Sequence, residues 1–301
     1  MLGRSPAYAR AAAQIERAAS CSLPVLLGGE TGTGKTTAAE AIAGGAESLV
    51  VARSLPESLI EAELFGHERG AFTGASKLKM GLVEQANGRT LLLEEVGDLP
   101  PKAQVALLGV LEDGKFRRLG GEKDIQVSVR VVAATWKDLG ALVREGTFRE
   151  DLYYRLNVVS ITMPPLRERG EDVVLLAEAQ LGREVTEVER AALLAHHWPG
   201  NIRELRNVTD RMSVGIPVCE AIGAALPAPG QPAPGQPAPG QVDSDLSVLF
   251  SAVRARGVQK VAEMIAMPRG TLAKKLNGQR PTTWCEAKKI AAAVGLEIRI
   301  G

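Results

Sequence analysis

The sequence predicts an α/β fold: a parallel sheet, a helical lid after it, and a small all-α module behind a linker. Three observations lead there. Short apolar runs alternate with helical patterns over residues 1–165. One of those runs feeds a glycine-rich loop that opens a helix. A Pro-Ala-Pro-Gly-Gln unit, repeated three times from Pro227 to Gln241, then separates the C-terminal residues from the rest.

The apolar runs are Pro24–Leu27, Ser48–Val51, Thr90–Leu93, Val129–Ala134 and Val158–Met163, each short enough for a buried strand. Amphipathic stretches such as Thr36–Ala43 and Lys102–Glu112 lie between them. Strands that alternate with helices give a parallel sheet covered on both faces. From residue 166 to 225 the strand pattern stops, and Glu171–Leu181 and Glu187–His196 have helical spacing, which predicts a helical lid subdomain. Residues 226–242 form the linker: proline removes backbone donors and glycine restores flexibility, so no packed element fits.

Charge is divided unevenly. Residues 243–301 carry ten Lys/Arg against five Asp/Glu, while the preceding 242 residues carry 26 against 30. A net +1 therefore hides a basic tail on an acidic body, and the tail points to a polyanionic partner. Within it, Val258–Ile265 and Pro268–Leu276 have the spacing of a helix-turn-helix. Arg269, Thr271, Lys274 and Lys275 would ride on the second helix, suited to phosphates or guanine edges in a major groove. No apolar run approaches the ~20 residues that span a bilayer. Cys21, Cys219 and Cys285 are scattered without a C-x-x-C pair, as for thiols of a reducing cytoplasm.

Gly29-Glu30-Thr31-Gly32-Thr33-Gly34-Lys35-Thr36 fits G-x-x-x-x-G-K-[ST] at every fixed position, between a strand and a helix. Its glycines let backbone N–H groups turn toward phosphates, and Lys35 reaches the outer ones. The Thr36 hydroxyl can ligate Mg²⁺, so ATP with Mg²⁺ is the expected ligand. Leu91-Leu92-Leu93-Glu94-Glu95 is an apolar strand ending in two carboxylates at the edge where such sheets bind ligands. Glu94 would hold the metal and Glu95 would polarise the attacking water.

Several further motifs carry a resemblance. Glu63-Leu64-Phe65-Gly66-His67-Glu68 precedes Gly70-Ala71-Phe72-Thr73-Gly74-Ala75, and Gly97-Asp98-Leu99-Pro100 follows the acidic pair. Phe148 to Leu156, Pro164 to Arg169 and Trp198 to Leu205 come later in the same order. From about Gly3 to Asn207 the chain resembles the sigma-54-dependent transcription activators, a branch of the AAA+ ATPases. That resemblance implies a hexameric ring. It implies that Gly70 to Ala75 engage sigma-54 RNA polymerase, that Arg149 and Arg155 reach nucleotide on a neighbouring subunit, and that Arg203 senses it in cis. Six residues apart on a helix, the two arginines would lie ~120° apart and make unequal contacts.

The chain departs from the family's pattern at four places. Glu94 stands where the family usually has Asp, which extends the carboxylate by a methylene. Trp136 stands where a polar sensor, commonly Asn, is usual. Val51 occupies the position of an asparagine that restrains the catalytic glutamate. The segment from Thr36 to Glu63 and the lid are both shorter than usual. These departures predict slow or unusually regulated ATPase activity, and they keep open a DNA-binding regulator with an impaired, nucleotide-gated scaffold. The tail resembles both Fis-type and Cro-type modules. The phosphate loop begins within 30 residues of Met1, so control is expected from a partner protein in trans, expression level or nucleotide.

Overall fold

The computed structural model describes residues 2–53, 57–72 and 74–223, together with Val261 and Leu272. Its helices are α1 (Pro6–Ala19), α2 (Lys35–Ile42), α3 (Glu57–Phe65), α4 (Leu82–Gln85), α5 (Pro101–Asp113), α6 (Leu139–Arg144), α7 (Glu150–Leu156), α8 (Asp172–Leu181), α9 (Glu187–Ala195), α10 (Asn201–Ser213) and α11 (Val218–Gly223). Its strands are β1 (Val25–Gly28), β2 (Leu49–Ala52), β3 (Gly66–His67), β4 (Lys79–Met80), β5 (Thr90–Glu94), β6 (Lys115–Phe116), β7 (Ile125–Gln126), β8 (Arg130–Thr135) and β9 (Val159–Thr162). The chain divides into two compact units, Met1–Arg206 and Asn207–Gly301.

Five strands form the central sheet in the order β2-β5-β8-β1-β9, every pair parallel. Parallel pairing requires crossovers, and these put helices on both faces. The core accordingly splits by residue parity. Leu91, Leu93, Val131 and Ala133 join the cluster shared with α3, α5 and α7. Leu92, Val132, Ala134, Leu27 and Ile161 join the cluster shared with α1 and α2. Because neighbouring side chains on a strand face opposite ways, a run such as Leu91-Leu92-Leu93 is apolar at every position.

Each of the five apolar runs in the sequence is a sheet strand, shifted by a residue or so at its ends. Two antiparallel pairs, β3–β4 and β6–β7, are too short to leave a period in the sequence. Helix starts follow local chemistry. Ser5 caps α1 by accepting from the Tyr8 N–H, with Pro6 in the first turn. Thr186 and Glu189 cap α9 reciprocally. Gly114, left-handed, ends α5.

Cys21 is a free, half-buried thiol, but Cys219 is in a disulfide, which corrects the reading of three free thiols. Sequence spacing cannot show such proximity. Thr73, the linker 226–242 and the DNA-contact candidates Arg269, Thr271, Lys274 and Lys275 lie outside the described residues. Val261 and Leu272, one from each proposed helix of the helix-turn-helix, are helical and fully buried. No helix among the described residues is long and apolar enough to cross a membrane.

Candidate nucleotide site and surface loop

The glycine-rich loop leaves β1 and enters α2 with Gly29, Gly32 and Gly34 at φ of 139°, 81° and 98°. Side chains rarely tolerate such angles. At Gly29 a Cβ would lie 2.7 Å from the Met163 carbonyl oxygen, and at Gly32 it would strike that of Gly200. The α2 N-terminus has no side-chain cap, so its first N–H groups stay open to an anion.

Lys35, only 9% exposed, donates from Nζ to the carbonyls of Gly29 (2.7 Å) and Glu30 (3.0 Å). Burial pushes its pKa down; Glu95, Glu94 and Glu30 pull it back up, and Arg203 lowers it further. Arg203 therefore sits within electrostatic reach of Lys35, and its Cβ crowds Gly32 from the first turn of α10. The Thr36 hydroxyl donates to the Glu94 carboxylate at 2.7 Å. Residues 58 positions apart are thus joined at the start of α2.

The fit of ATP and Mg²⁺ follows from this donor set. The loop supplies open N–H groups and one buried ammonium for phosphates, and Thr36 with Glu94 supplies two hard oxygens. Among the described residues no group of three His, Cys, Asp or Glu could hold a metal alone. Beside the loop a cleft of about 530 Å³ opens between α1 (Arg10, Gln14), Gly29, Glu30, β9 and the turn carrying Arg167 and Glu168. The contribution of α1 to this cleft was not legible in the sequence.

Glu95 follows β5 in a left-handed conformation (φ 55°, ψ 51°), a strained choice for a non-glycine residue. Its carboxylate accepts from the Trp136 backbone N–H at 3.3 Å. The Trp136 indole itself is 58% exposed, with Lys137 Nζ 5.8 Å from its ring centre. Val51 of β2, paired with Leu92 of β5, has an apolar side chain that can offer Glu95 no hydrogen bond.

Arg149 and Arg155 are exposed, and each pairs locally: Arg149 with Asp151 at 2.6 Å, Arg155 with Glu112 at 2.9 Å. Arg149 precedes α7 as its extended N-cap, so the ~120° helical separation expected for the two does not apply. Buried Gln104 fixes this segment through the Arg149 N–H (2.9 Å) and the Thr147 carbonyl (3.1 Å).

On either side of Thr73, the Gly70 N–H donates to the carbonyl of buried Ala75 (2.8 Å). Phe72, 44% exposed, meets His67 edge-on at 4.9 Å. Below it Arg118, after β6, pairs with both Glu68 (2.8 Å) and Glu84 (2.7 Å), and Glu68 donates its N–H to the Leu119 carbonyl. The second hairpin thus supports the first, which sequence reasoning missed because the residues are 34 and 50 positions apart.

A family model described as the Sigma-54 interaction domain matches residues 1–162, and one described as an AAA+ ATPase lid domain matches 167–222. The chain is 46% identical over 230 residues to the Regulatory protein AtoC of Escherichia coli (strain K12), covering 71% of this chain and 50% of AtoC. It is 39% identical over 292 residues to the C4-dicarboxylate transport transcriptional regulatory protein DctD of Rhizobium meliloti (strain 1021), covering 92% of this chain and 63% of DctD. The chain thus spans about half the length of AtoC and somewhat more of DctD. Among solved structures, NtrX from Brucella abortus in complex with ADP superposes with a TM-score of 0.69 at 29% identity, over 92% of this chain and 69% of NtrX. The ATP complex of the same protein gives 0.65 at 30% identity, over 92% and 68%. The phosphate loop and the acidic strand end thus stand in the parallel-sheet region that the first model matches and Arg203 in the region that the second matches, and the chain belongs to the sigma-54-dependent activator family of AAA+ ATPases.

Proposed function

We propose that this chain is a cytoplasmic, sigma-54-dependent transcriptional activator that binds ATP with Mg²⁺ and couples its hydrolysis, in a hexameric ring, to remodelling of sigma-54 RNA polymerase. The observation that carries this reading is the Thr36–Glu94 contact beside buried Lys35. Phosphates would take over Lys35 from the Gly29 and Glu30 carbonyls and occupy the open α2 N-terminus. Thr36 and Glu94 would hold Mg²⁺, which supplies charge neutralisation on the phosphates. Glu95 would orient and deprotonate the attacking water once it leaves the Trp136 N–H. Arg203 would approach the phosphates in cis, while Arg149 and Arg155, exposed and only locally paired, would serve a neighbouring subunit's nucleotide.

Gly70 to Ala75 would present Phe72 to sigma-54. Residues 1–165 would form the α/β subdomain and 166–225 the lid. Residues 226–242 would tether a helix-turn-helix domain, 243–301, that binds DNA upstream through Arg269, Thr271, Lys274 and Lys275. The test is in vitro transcription from a sigma-54 promoter with wild type, Lys35→Ala and Thr73→Ala. Activation by wild type and loss in both variants supports the reading; absence of wild-type activation on any sigma-54 template rejects it.

A second reading, a DNA-binding regulator whose nucleotide site gates but barely hydrolyses, is favoured by Trp136 and Val51. With no side-chain amide from either, the parked state of Glu95 rests on a backbone N–H. Slow ATPase above a Lys35→Ala control is expected from the first reading; nucleotide binding with none above that control selects the second.

A further inference from the structure

Three phosphate-loop glycines at positive φ leave the tip, Glu30 to Gly32, free to change shape unless something outside restrains it. Asn201 is completely buried and left-handed (φ 52°), a conformation asparagine tolerates better than most residues. Its amide nitrogen donates to Glu30 Oε2 and to the Thr31 carbonyl, both at 3.1 Å, while its oxygen accepts the Leu166 N–H at 2.7 Å. Arg167 forks onto the same Glu30 carboxylate at 2.6 and 2.9 Å. The Ile202 N–H donates to the Gly32 carbonyl at 2.9 Å. Glu30, Thr31 and Gly32 are thus each gripped from residues 167–202. The Arg167 fork holds the Glu30 pKa down. Both Glu30 and Arg167 also line the cleft beside the loop.

We propose that Glu30, Arg167 and Asn201 form a clamp that sets the phosphate-loop tip and slows nucleotide release, with Arg167 and Asn201 as positioning residues. This rests on the nucleotide reading of the same loop. The clamp is placed to act on release rather than on chemistry: it holds the Glu30 carboxylate and the Thr31 and Gly32 carbonyls, while Glu94 and Glu95 lie at the end of β5 and Lys35 meets the tip only through the Gly29 and Glu30 carbonyls. The bidentate fork gives direction as well as charge. Glu30 and Arg167 are each about 40% exposed, so solvent screening keeps the effect modest.

The experiment measures dissociation of a fluorescent ADP analogue by stopped flow from the full chain: wild type, Glu30→Arg, Arg167→Glu and the double exchange. In parallel, amide hydrogen exchange over residues 29–33 and 198–204 is followed without nucleotide. Each single reversal is expected to speed release about fivefold and to raise exchange at the tip, with most of both recovered in the double exchange. A pair that merely supports the fold would lower thermal stability without a selective change in release. Singles within twofold of wild type, or no recovery in the double exchange, overturn the clamp. Faster exchange with unchanged release also overturns it as a determinant of nucleotide residence. Wild type that fails to bind the analogue overturns the nucleotide reading itself, while the exchange measurement, made without nucleotide, reads the clamp independently and separates that failure from loss of the clamp.

Discussion

Replacing Asp172 by Asn tests a deeply buried ion pair at the start of α8. Asp172 and Arg169 have side chains only 2% exposed. The carboxylate accepts from the Arg4 N–H (2.6 Å), the Ser5 N–H (3.1 Å), the Ser5 hydroxyl (2.7 Å) and Arg169 Nε (3.2 Å). The guanidinium has fewer supports: this carboxylate, the Leu2 carbonyl at 2.9 Å and the Tyr8 ring at 4.1 Å. Asparagine keeps the shape but removes the charge and leaves Arg169 buried without a counter-ion, a loss of about 3–5 kcal/mol. At roughly 2–4 °C per kcal/mol for a unit of this size, the melting temperature should fall by roughly 10 °C. Arg169→Met should cost less, about 1–3 kcal/mol, because three donors still hold the carboxylate. Circular dichroism melts of the three proteins check both the size and the order. A fall under about 3 °C for Asp172→Asn, or a larger effect from Arg169→Met, refutes the reasoning. Burial pushes the Asp172 pKa up, but the Arg4, Ser5 and Arg169 donors outweigh it and hold the pKa below its ordinary value. The stability it contributes is therefore present above the unfolded pKa near 3.8 and lost as pH falls below it.

Gly32→Ala should destabilise the protein by about 2 kcal/mol and weaken nucleotide binding at least tenfold, since φ is +81° and the added Cβ meets the Gly200 carbonyl; thermal melts and calorimetric titration with ATP read the two effects. Arg130→Met should cost about 2–4 kcal/mol in urea unfolding, because Arg130 binds the Ala18 carbonyl (2.7 Å) and the Ile42 carbonyl (3.1 Å) at the ends of α1 and α2; a change under 0.5 kcal/mol, within the usual range of a surface substitution, would show that water replaces it. Glu189, held down to about 2 chiefly by the Arg183 guanidinium, stabilises the α8–α9 turn above pH 4.5 and loses that contribution as pH falls toward 2. Arg183→Ala should move its carboxyl titration up toward 4.5, followed by NMR.

The sequence by itself determined whatever depends on local pattern. Leu91-Leu92-Leu93 reads as a strand buried on both faces because both core clusters claim its residues. Gly29 to Thr36 is legible because phosphate binding demands glycine, lysine and threonine at fixed spacing along one stretch of chain. Long-range partnerships were decided only in the tertiary structure. Nothing near Glu30 in the chain announces Arg167 or Asn201, 137 and 171 positions away. The hold on Glu95 was equally hidden, since any residue but proline at position 136 would carry the N–H that does it. Arg149 was misplaced on a helix because it carries none of the Ser, Thr, Asp or Asn chemistry that marks an N-cap, and only its backbone angles put it outside α7. Side-chain type and spacing are local properties of a chain, whereas the geometry of a site is set by which distant segments the sheet order brings together. β1, β5 and β8 are neighbours only because parallel crossovers place them so, and that adjacency seats Glu94 on Thr36.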